Sequence, residues 1–329
     1  MKVNLFYLSP NTTGGWVTFT YHLTRALKAV GLTPALYKIR PRTEGKKRPF
    51  GYDIFYQNVS LETAVRLLGE GPGLIVAAAK NFKDQTETLI ANGAQLVVHD
   101  PTELKNLPNN LDQSRCVIIR QAGRAMLPNA WFIRHPYERF GPVNKEKHDL
   151  AVSTCRIDFD KNTHILLDAN RLTKRQEDKI QIWGFENRLY TRFKICPNYP
   201  EWRQSEVAYS RHPTSAFEIL SDAKFAVDMS IIKGDGGGTQ YSFLEAWDAG
   251  AVPIIHAEWI RDDDDMVPGT NCFTAQDGES LRAVLDSYGE DYMAITEHVR
   301  QHFVTSGHES LKKHDPAEIG QLYKEFLRC

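Results

Sequence analysis

The strongest chemical signal in the sequence is a glycine-rich run at residues 235–246, DGGGTQYSFLEA. Glycines at a helix start leave N–H groups that can bind phosphate, so Gly237, Gly238 and Thr239 are candidate ligands of a diphosphate. Glu245 lies about two turns into the predicted helix, where a carboxylate can accept hydrogen bonds from two ribose hydroxyls. A flexible loop and a surface charge are the alternatives. The Gly-Lys-Ser/Thr of a P-loop is missing, which disfavours NTPase chemistry.

Two other loops have the composition of anion-binding sites. Gly14 and Gly15 separate the first apolar strand from a helical pattern, so the backbone can approach a ligand closely there. Arg156 and Lys161 follow an apolar strand near residue 150, where two cations could neutralise a diphosphate leaving group. An ordinary tight turn and a solvated loop are the alternatives. The first loop is not a G-x-G-x-x-G, so it does not indicate a dinucleotide.

A His-Asp pair stands at the end of an apolar run that predicts a strand at residues 95–99. The carboxyl ends of parallel strands are where α/β proteins form their sites, so His99 and Asp100 are candidate catalytic residues. A histidine satisfied within the core and an aspartate that caps the turn before Pro101 are the alternatives.

Basic residues are concentrated in the first half of the chain. Residues 1–150 hold 20 Lys and Arg against 12 Asp and Glu, a balance of +8, whereas residues 151–329 hold 20 against 29, a balance of −9. This asymmetry is a hint that the first half meets an anionic partner. The candidate contacts are four residues of a loop expected to be mobile, Arg42, Lys46, Lys47 and Arg48, and Arg134 in a basic and aromatic run. Charged surface and packing between domains are the alternatives.

Short apolar runs alternate with helical patterns, which predicts an α/β fold with parallel sheets. The pattern restarts near residue 150, so we expect two Rossmann-like domains facing a central cleft, at residues 1–145 and 146–329. The predicted strands lie at 3–8, 34–39, 54–57, 73–79, 95–99, 116–120, 129–133, 150–153, 180–184, 193–196, 225–229 and 252–255. The predicted helices lie at 17–30, 163–172, 241–249, 279–288, 292–303 and 316–327.

The composition argues against several classes of protein. The 329 residues contain no apolar stretch of the roughly 18 to 20 residues that a membrane span needs, and the first residues turn polar too quickly for a signal peptide. The five cysteines are far apart and include no C-x-x-C pair, which disfavours a zinc ribbon or a redox motif. A reduced protein in the cytoplasm is the simplest interpretation.

The glycine pair, the Arg-Lys pair and Glu245 occur in the same order as three motifs of the large retaining GT-B glycosyltransferase family, which the sequence resembles over most of its length. That family has a glycine pair after strand one, an Arg and a Lys after the first strand of the second domain, and an E-x7-E helix. The sequence departs at Gly237, where the family has the first Glu, placed near the transferred sugar; Asp235 is the candidate substitute. His99-Asp100 also resembles the same spot in phage DNA α-glucosyltransferases.

The resemblance implies a retaining enzyme that transfers a sugar, with glucose favoured, from a UDP-sugar co-substrate held mainly by the second domain. It also implies that the last helix crosses back onto the first domain. Glu245 would hold the ribose, Arg156 and Lys161 the diphosphate, and His99 with Asp100 the sugar. No cofactor and no metal are expected, although D-x-D patterns at residues 158–160 and 262–265 keep a metal as an alternative.

The basic first half and the phage resemblance together favour a hydroxymethylated pyrimidine in DNA as the acceptor. A duplex target would have to be flipped out of the base stack. A saccharide, lipid-linked or small-molecule acceptor is one alternative, and a nucleotide-sugar or nucleic-acid binding module without catalysis is another. We expect a monomer, located in the host cytoplasm if the gene belongs to a phage.

Overall fold

The chain forms two compact units. The computed structural model describes residues 1–10, 14–100, 103–104, 107–108, 111–141, 146–203, 216–231, 236–261, 265–287 and 293–328. The first unit joins Met1–Glu138 to Lys313–Cys329, and the second is Arg139–Lys312. No helix within the described ranges is long and apolar enough to cross a membrane.

A sheet in the spatial order β3-β4-β2-β1-β5-β6-β7-β8 forms the centre of the first unit. Its strands are β1 Lys2–Leu8, β2 Thr33–Ile39, β3 Lys47–Gly51, β4 Ile54–Val59, β5 Gly73–Ala78, β6 Gln95–Val98, β7 Cys116–Ile118 and β8 Trp131–Phe132. Neighbouring strands are parallel, except that β3 runs antiparallel to β4. The strand order reverses between β1 and β5, and such a reversal is where open α/β sheets bind ligands.

Helices cover this sheet, and the last one comes from the far end of the sequence. They are α1 Gly15–Ala29, α2 Leu61–Glu70, α3 Lys83–Ala91, α4 Gln121–Met126 and α12 Pro316–Phe326. Helix α12 packs against α1 so closely that a Cβ atom added at Gly320 would lie 2.2 Å from the carbonyl oxygen of Ala26. The strands β1 and β5 are buried along almost their whole length, as expected of central parallel strands covered on both faces.

The second unit is built on a smaller parallel sheet in the order β10-β9-β11-β12-β13. Its strands are β9 Asp149–Ser153, β10 Gln181–Ile182, β11 Ala223–Asp228, β12 Val252–His256 and β13 Phe273–Ala275. Its helices are α5 Thr163–Leu172, α6 Arg188–Tyr190, α7 Cys196–Asn198, α8 Ala216–Ser221, α9 Tyr241–Asp248, α10 Gly278–Asp286 and α11 Met293–Leu311. The apolar core lies between this sheet and its helices.

The strand predicted at residues 193–196 is wrong. A π-helical turn, Thr191–Ile195, joins α6 to α7, so that 188–198 is one helical segment. Tyr190, Ile195 and Tyr199 are buried while Phe193 is exposed, a helical spacing rather than the alternation of a strand. The aromatic and apolar residues of 193–196 favoured a strand in the sequence because propensity alone does not show which side chains are buried.

The basic segment at residues 40–48, predicted to be a loop, contains regular structure at both ends. Pro41–Thr43 forms a 3-10 turn, and Lys47–Gly51 is the antiparallel edge strand β3. Lys47, Arg48 and Pro49 are exposed on that edge. Charged residues and proline on an edge strand prevent further strand pairing, which explains why a strand has the composition of a loop here.

We predict that Gly320→Ala lowers the free energy of unfolding of the first unit by about 1–3 kcal/mol, because the added methyl group meets the backbone of α1. Urea unfolding followed by circular dichroism measures the change. Gly69→Ala is the matched control, since Gly69 lies inside α2 with no atom within 4 Å of the added Cβ. Helix propensity should leave that variant unchanged or stabilised by up to about 1 kcal/mol. Equal stability of the two variants would contradict the close α1–α12 packing.

Candidate functional site

Three elements of the second unit meet around one buried carboxylate. Asp228 ends β11, next to the reversal of strand order between β9 and β11. Its Oδ2 accepts a hydrogen bond from the hydroxyl of Ser242, on α9, at 2.7 Å. Its Oδ1 accepts from the N–H of Ser230 at 3.1 Å and from the Ser230 hydroxyl. This is the end of the sheet at which α/β proteins bind their ligands.

Lys161 completes this cluster. Its Nζ lies 3.7 Å from Asp228 Oδ2 and donates to Ser230 Oγ at 2.6 Å and to Gln240 Oε1 at 3.0 Å. Burial raises the pKa of Asp228, but Lys161 and the hydroxyl donors outweigh burial and hold that pKa below its usual value. The Asp228 carboxylate is therefore charged at neutral pH. The β9–α5 loop, the end of β11 and the start of α9 together fix one cation at the carboxyl edge of the sheet.

Arg156, the other predicted diphosphate ligand, lies in the same loop but has different partners. Its guanidinium pairs with Asp158 at 3.1 Å and with Asp160 at 3.1 Å, and its side chain is about half exposed. The structure thus brings Arg156 and Lys161 into one loop without showing them converging on one point. An exposed ion pair of this kind contributes little to stability, so a phosphate can compete for the guanidinium at small cost.

Glu245 has the environment of a ligand-binding carboxylate. It lies on α9 and is only 8% exposed, and no residue in the described part of the chain donates a hydrogen bond to its carboxyl group or forms an ion pair with it. Burial, and secondarily the neighbouring Asp248, raise the pKa of Glu245 to about 8. A buried carboxyl group without donors is costly to maintain. Donors supplied by a ligand would satisfy it.

The glycine run before α9 is only partly the set of donors that the sequence predicts. Gly237 and Gly238 have φ values of 72° and 75°, in the left-handed region that favours glycine. The N–H of Gly237 donates to the carbonyl of Trp259 at 2.6 Å, and the Trp259 indole donates to the carbonyl of Gly238 at 3.0 Å. Gly237 is therefore not a free donor to phosphate in this structure. Thr239 is buried beside it, and Asp235 lies outside the described residues.

The loop that follows β10 packs against the loop that carries Arg156 and is hydrogen-bonded to it. Gly184 follows β10, and a Cβ atom added there would lie 2.0 Å from the carbonyl oxygen of Cys155. The N–H of Ile157 donates to the carbonyl of Phe185 at 2.8 Å. The side chain of Asn187 donates to Asp158 at 2.7 Å. The loops after β9 and β10 therefore form one continuous surface.

In the first unit, the structure places His99 and the Gly14-Gly15 pair at the carboxyl edge of the sheet. Gly14 has a φ of 89° and precedes α1, which begins at Gly15, whereas residues 11–13 are not described. His99 follows β6 and is buried. Its Nε2 lies 2.8 Å from the carbonyl oxygen of Val76, so Nε2 carries the proton and Nδ1 is an acceptor. Burial lowers the pKa of His99 to about 4, which makes the ring neutral at pH 7.

Glu103 joins these two loops, and sequence reasoning missed it. Its Oε1 accepts from the indole of Trp16 at 3.1 Å, and its Oε2 accepts from the N–H of His99 at 2.9 Å. Burial, and then the charge of the half-buried Asp100, raise the pKa of Glu103 to about 8. No sequence motif marks Glu103, because its partners are defined only by the fold.

The predicted acceptor residues do not all lie together. Arg42, Lys46, Lys47 and Arg48 are exposed at the β3 edge of the first sheet. Arg134 follows β8, at the opposite edge, and stacks over Phe132 at 5.5 Å. Seven strand spacings separate the two edges, roughly 30 Å. The structure therefore places Arg134 and the basic segment at opposite edges of the first sheet.

Within the part of the chain that the structure describes, no group of three or more His, Cys, Asp or Glu residues could hold a metal ion. Asp158 and Asp160 of the first D-x-D pattern face the Arg156 guanidinium instead. In the second pattern, residues 262–264 are outside the described ranges.

Comparison with known proteins identifies the fold. No protein-family model and no curated protein matches the sequence. An α-glucosyltransferase in complex with UDP and a 13-mer DNA containing an HMU base is 12% identical, with a TM-score of 0.73 over 99% of each chain. HepE of Anabaena in complex with UDP and glucose is 12% identical, with a TM-score of 0.70 over 99% of each chain. TarM of S. aureus, bound to fondaparinux, α-GlcNAc-glycerol and UDP, is 13% identical with a TM-score of 0.62, over 84% of this chain and 60% of TarM. The chain has the GT-B fold of these glycosyltransferases.

We predict that the free energy of unfolding falls as pH rises from about 6.5 to 8.5. With folded pKa values of about 8, Glu245 and Glu103 hold protons that the unfolded chain has already lost above its carboxyl pKa near 4.5. Each group contributes a slope of up to about 1.4 kcal/mol per pH unit. Glu245→Gln should remove the part of this slope that Glu245 contributes, as measured by urea unfolding across this pH range. The same substitution at the exposed Glu279 should leave the slope unchanged. An unchanged slope in Glu245→Gln would show that this carboxyl group ionises normally.

Proposed function

We propose that the chain is a glycosyltransferase that takes a sugar from a UDP-sugar and retains its anomeric configuration. The fold is shared with enzymes whose structures contain UDP or UDP-glucose. The observation that carries the proposal is the buried carboxyl group of Glu245, which has no donor among the described residues. Glu245 lies on α9, whose N-cap residue, Gln240, is a partner of Lys161. A ribose diol supplies the two O–H donors that this carboxyl group needs.

The donor would bind along the carboxyl edge of the second sheet. The carboxyl group of Glu245 accepts hydrogen bonds from the ribose hydroxyls. Lys161, which Asp228 holds in place, provides a cation for the diphosphate. The exposed Arg156 side chain exchanges its two carboxylate partners for phosphate oxygens, a bidentate geometry that suits a guanidinium. These cations stabilise the charge that grows on the diphosphate as the sugar–oxygen bond breaks, and they take the place of a metal ion in that role.

The transfer step needs no protein nucleophile. The bond from C1 of the sugar to the diphosphate oxygen breaks, the acceptor oxygen bonds to C1 on the same face, and the acceptor proton passes to a phosphate oxygen of the departing UDP. In this proposal the neutral ring of His99 accepts a hydrogen bond from a sugar hydroxyl at Nδ1. The role proposed for Asp100 is to stabilise positive charge at C1. Glu103 holds the backbone of His99 in place.

The proposed acceptor is a hydroxymethylated pyrimidine in DNA. The exposed cations of the β3 edge support it, since phosphate contacts provide most sequence-independent DNA affinity. The complex of the structurally similar α-glucosyltransferase with DNA supports it as well. A saccharide acceptor is the second candidate, because TarM, with the same fold, is seen with fondaparinux.

We predict that Glu245→Ala raises the Kd for UDP by about 10- to 100-fold, because the variant loses the hydrogen bonds that the ribose hydroxyls donate to this buried carboxyl group. Titration calorimetry with UDP measures the change. The affinity for inorganic pyrophosphate, which has no ribose, should stay within about twofold, and Glu279→Ala should leave both ligands unaffected. Equal losses for UDP and pyrophosphate would place Glu245 outside the ribose site.

We predict that UDP release from a UDP-sugar accelerates when hydroxymethylcytosine- or hydroxymethyluracil-containing DNA is added. Release is measured across a panel of UDP-sugars, with unmodified DNA of the same sequence as the control. Slow hydrolysis of the UDP-sugar at a rate that DNA does not change would exclude the DNA acceptor and direct the search to saccharides and lipids. UDP binding without release from any donor would contradict the enzyme itself and favour a binding module.

A further inference from the structure

The helical segment 188–198 presents an unusual exposed surface. Leu189 is 61% exposed and Phe193 is 66% exposed, and a spacing of four residues places both on one face of the helix. Two other exposed apolar side chains lie in the adjoining loops, Phe159 at 57% and Phe185 at 42%. Large apolar side chains grouped at a surface in this way mark a contact site more often than a chance exposure.

Cations surround these apolar side chains. Arg188, Arg192 and Lys194 are exposed on the same segment, and the Arg192 guanidinium lies 5.4 Å from the centre of the Phe193 ring. Residues 187–200 contain no Asp or Glu, although the second half of the chain has an excess of nine acidic residues. We name Phe159, Phe185, Leu189, Phe193 and these three cations the aromatic-basic patch. Its charge is complementary to a polyanion.

The patch is continuous with the proposed donor site. Asn187, which caps the segment, donates to Asp158, a partner of Arg156. Phe159 lies between Arg156 and Lys161 in the sequence, and its ring packs edge-on against Tyr190 at 4.9 Å. The aromatic-basic patch therefore adjoins the loop that would hold the diphosphate of the donor.

We propose that this patch is a DNA contact at which Phe193 and Leu189 fill the gap that a flipped nucleotide leaves in the base stack, while Arg188, Arg192 and Lys194 bind the flanking phosphates. Apolar wedges beside Arg and Lys are how many proteins separate base steps. The helix buries Tyr190, Ile195 and Tyr199 and leaves only a narrow apolar edge between cations. Such an edge fits a base step better than a lipid surface, which calls for an apolar face along a whole helix. The inference rests on the proposed DNA acceptor and adds how the base is exposed.

The test follows base unstacking and sugar transfer separately. A duplex carries hydroxymethylcytosine with a fluorescent 2-aminopurine as its neighbour, and the same strand is used alone and in a duplex with a mismatch at the target. The wild-type protein should raise the 2-aminopurine fluorescence of the matched duplex. Phe193→Ala should abolish this rise and slow transfer to the matched duplex by about 10- to 100-fold, since a stacked aromatic contact has that effect on affinity. Transfer to the mismatched duplex and to the single strand should change by less than about threefold.

Two control variants distinguish insertion of Phe193 into the base stack from a general loss of structure. Phe193→Leu keeps an apolar side chain and should recover most of the duplex activity. Leu172→Ala removes a comparably exposed leucine, at 51%, from α5 outside the patch and should behave as wild type. Equal losses on all three DNA substrates, or no loss on any, would overturn the wedge while leaving the transferase proposal intact.

The remaining outcomes are also distinct. Fluorescence that rises in the wild type without any transfer would contradict the transferase proposal but support the wedge. A wild type that does not unstack DNA, yet sediments with vesicles of anionic phospholipid in a Phe193-dependent manner, would overturn the wedge and assign the patch to a membrane surface.

Discussion

The site in the second unit depends on one constraint, which is that the Asp228 carboxylate is buried at the end of β11. A buried charge must be paired and hydrogen-bonded, and Asp228 recruits Lys161 from the loop after β9, Ser230 from its own loop and Ser242 from α9. These contacts fix the start of the helix that carries Glu245. Removing one partner would leave the other charge uncompensated, so the donor-side loops are stable only as a set.

Much of the fold follows from local patterns in the sequence. Continuous apolar runs identify the central strands because parallel strands covered on both faces need no polar side chains. Helix α5 has the bounds that its periodicity predicts.

The two errors in secondary structure have a common cause. At residues 193–196 and 47–51, the outcome depends on which neighbour the segment meets: the core beneath Ile195 makes a helix, and the free edge of β4 makes a strand. Neither neighbour is visible in a local window.

The candidate site divides in the same way. Gly14, Lys161 and Glu245 are candidates in the sequence because short spacings mark a loop or a helix start. Asp228 and Glu103 could not be, since each acts on partners that only the fold brings near: Lys161 lies 67 residues from Asp228, and Trp16 lies 87 residues from Glu103. Gly237 shows the opposite error, a residue that the motif indicates as a phosphate ligand but whose N–H already donates to the carbonyl of Trp259. A motif thus indicates which donors a loop contains, but tertiary contacts decide which are available.

The packing of α12 on α1 has a consequence for the order in which the protein is made. The first unit cannot close until residues 313 onwards leave the ribosome, about 175 residues after Glu138. At the usual rate of synthesis this delay is roughly 10 to 35 seconds. During that interval the face of α1 that receives Gly320 is open to chaperones, whereas the second unit is contiguous in sequence and can finish folding first. Unit one begins to be translated first and is completed last.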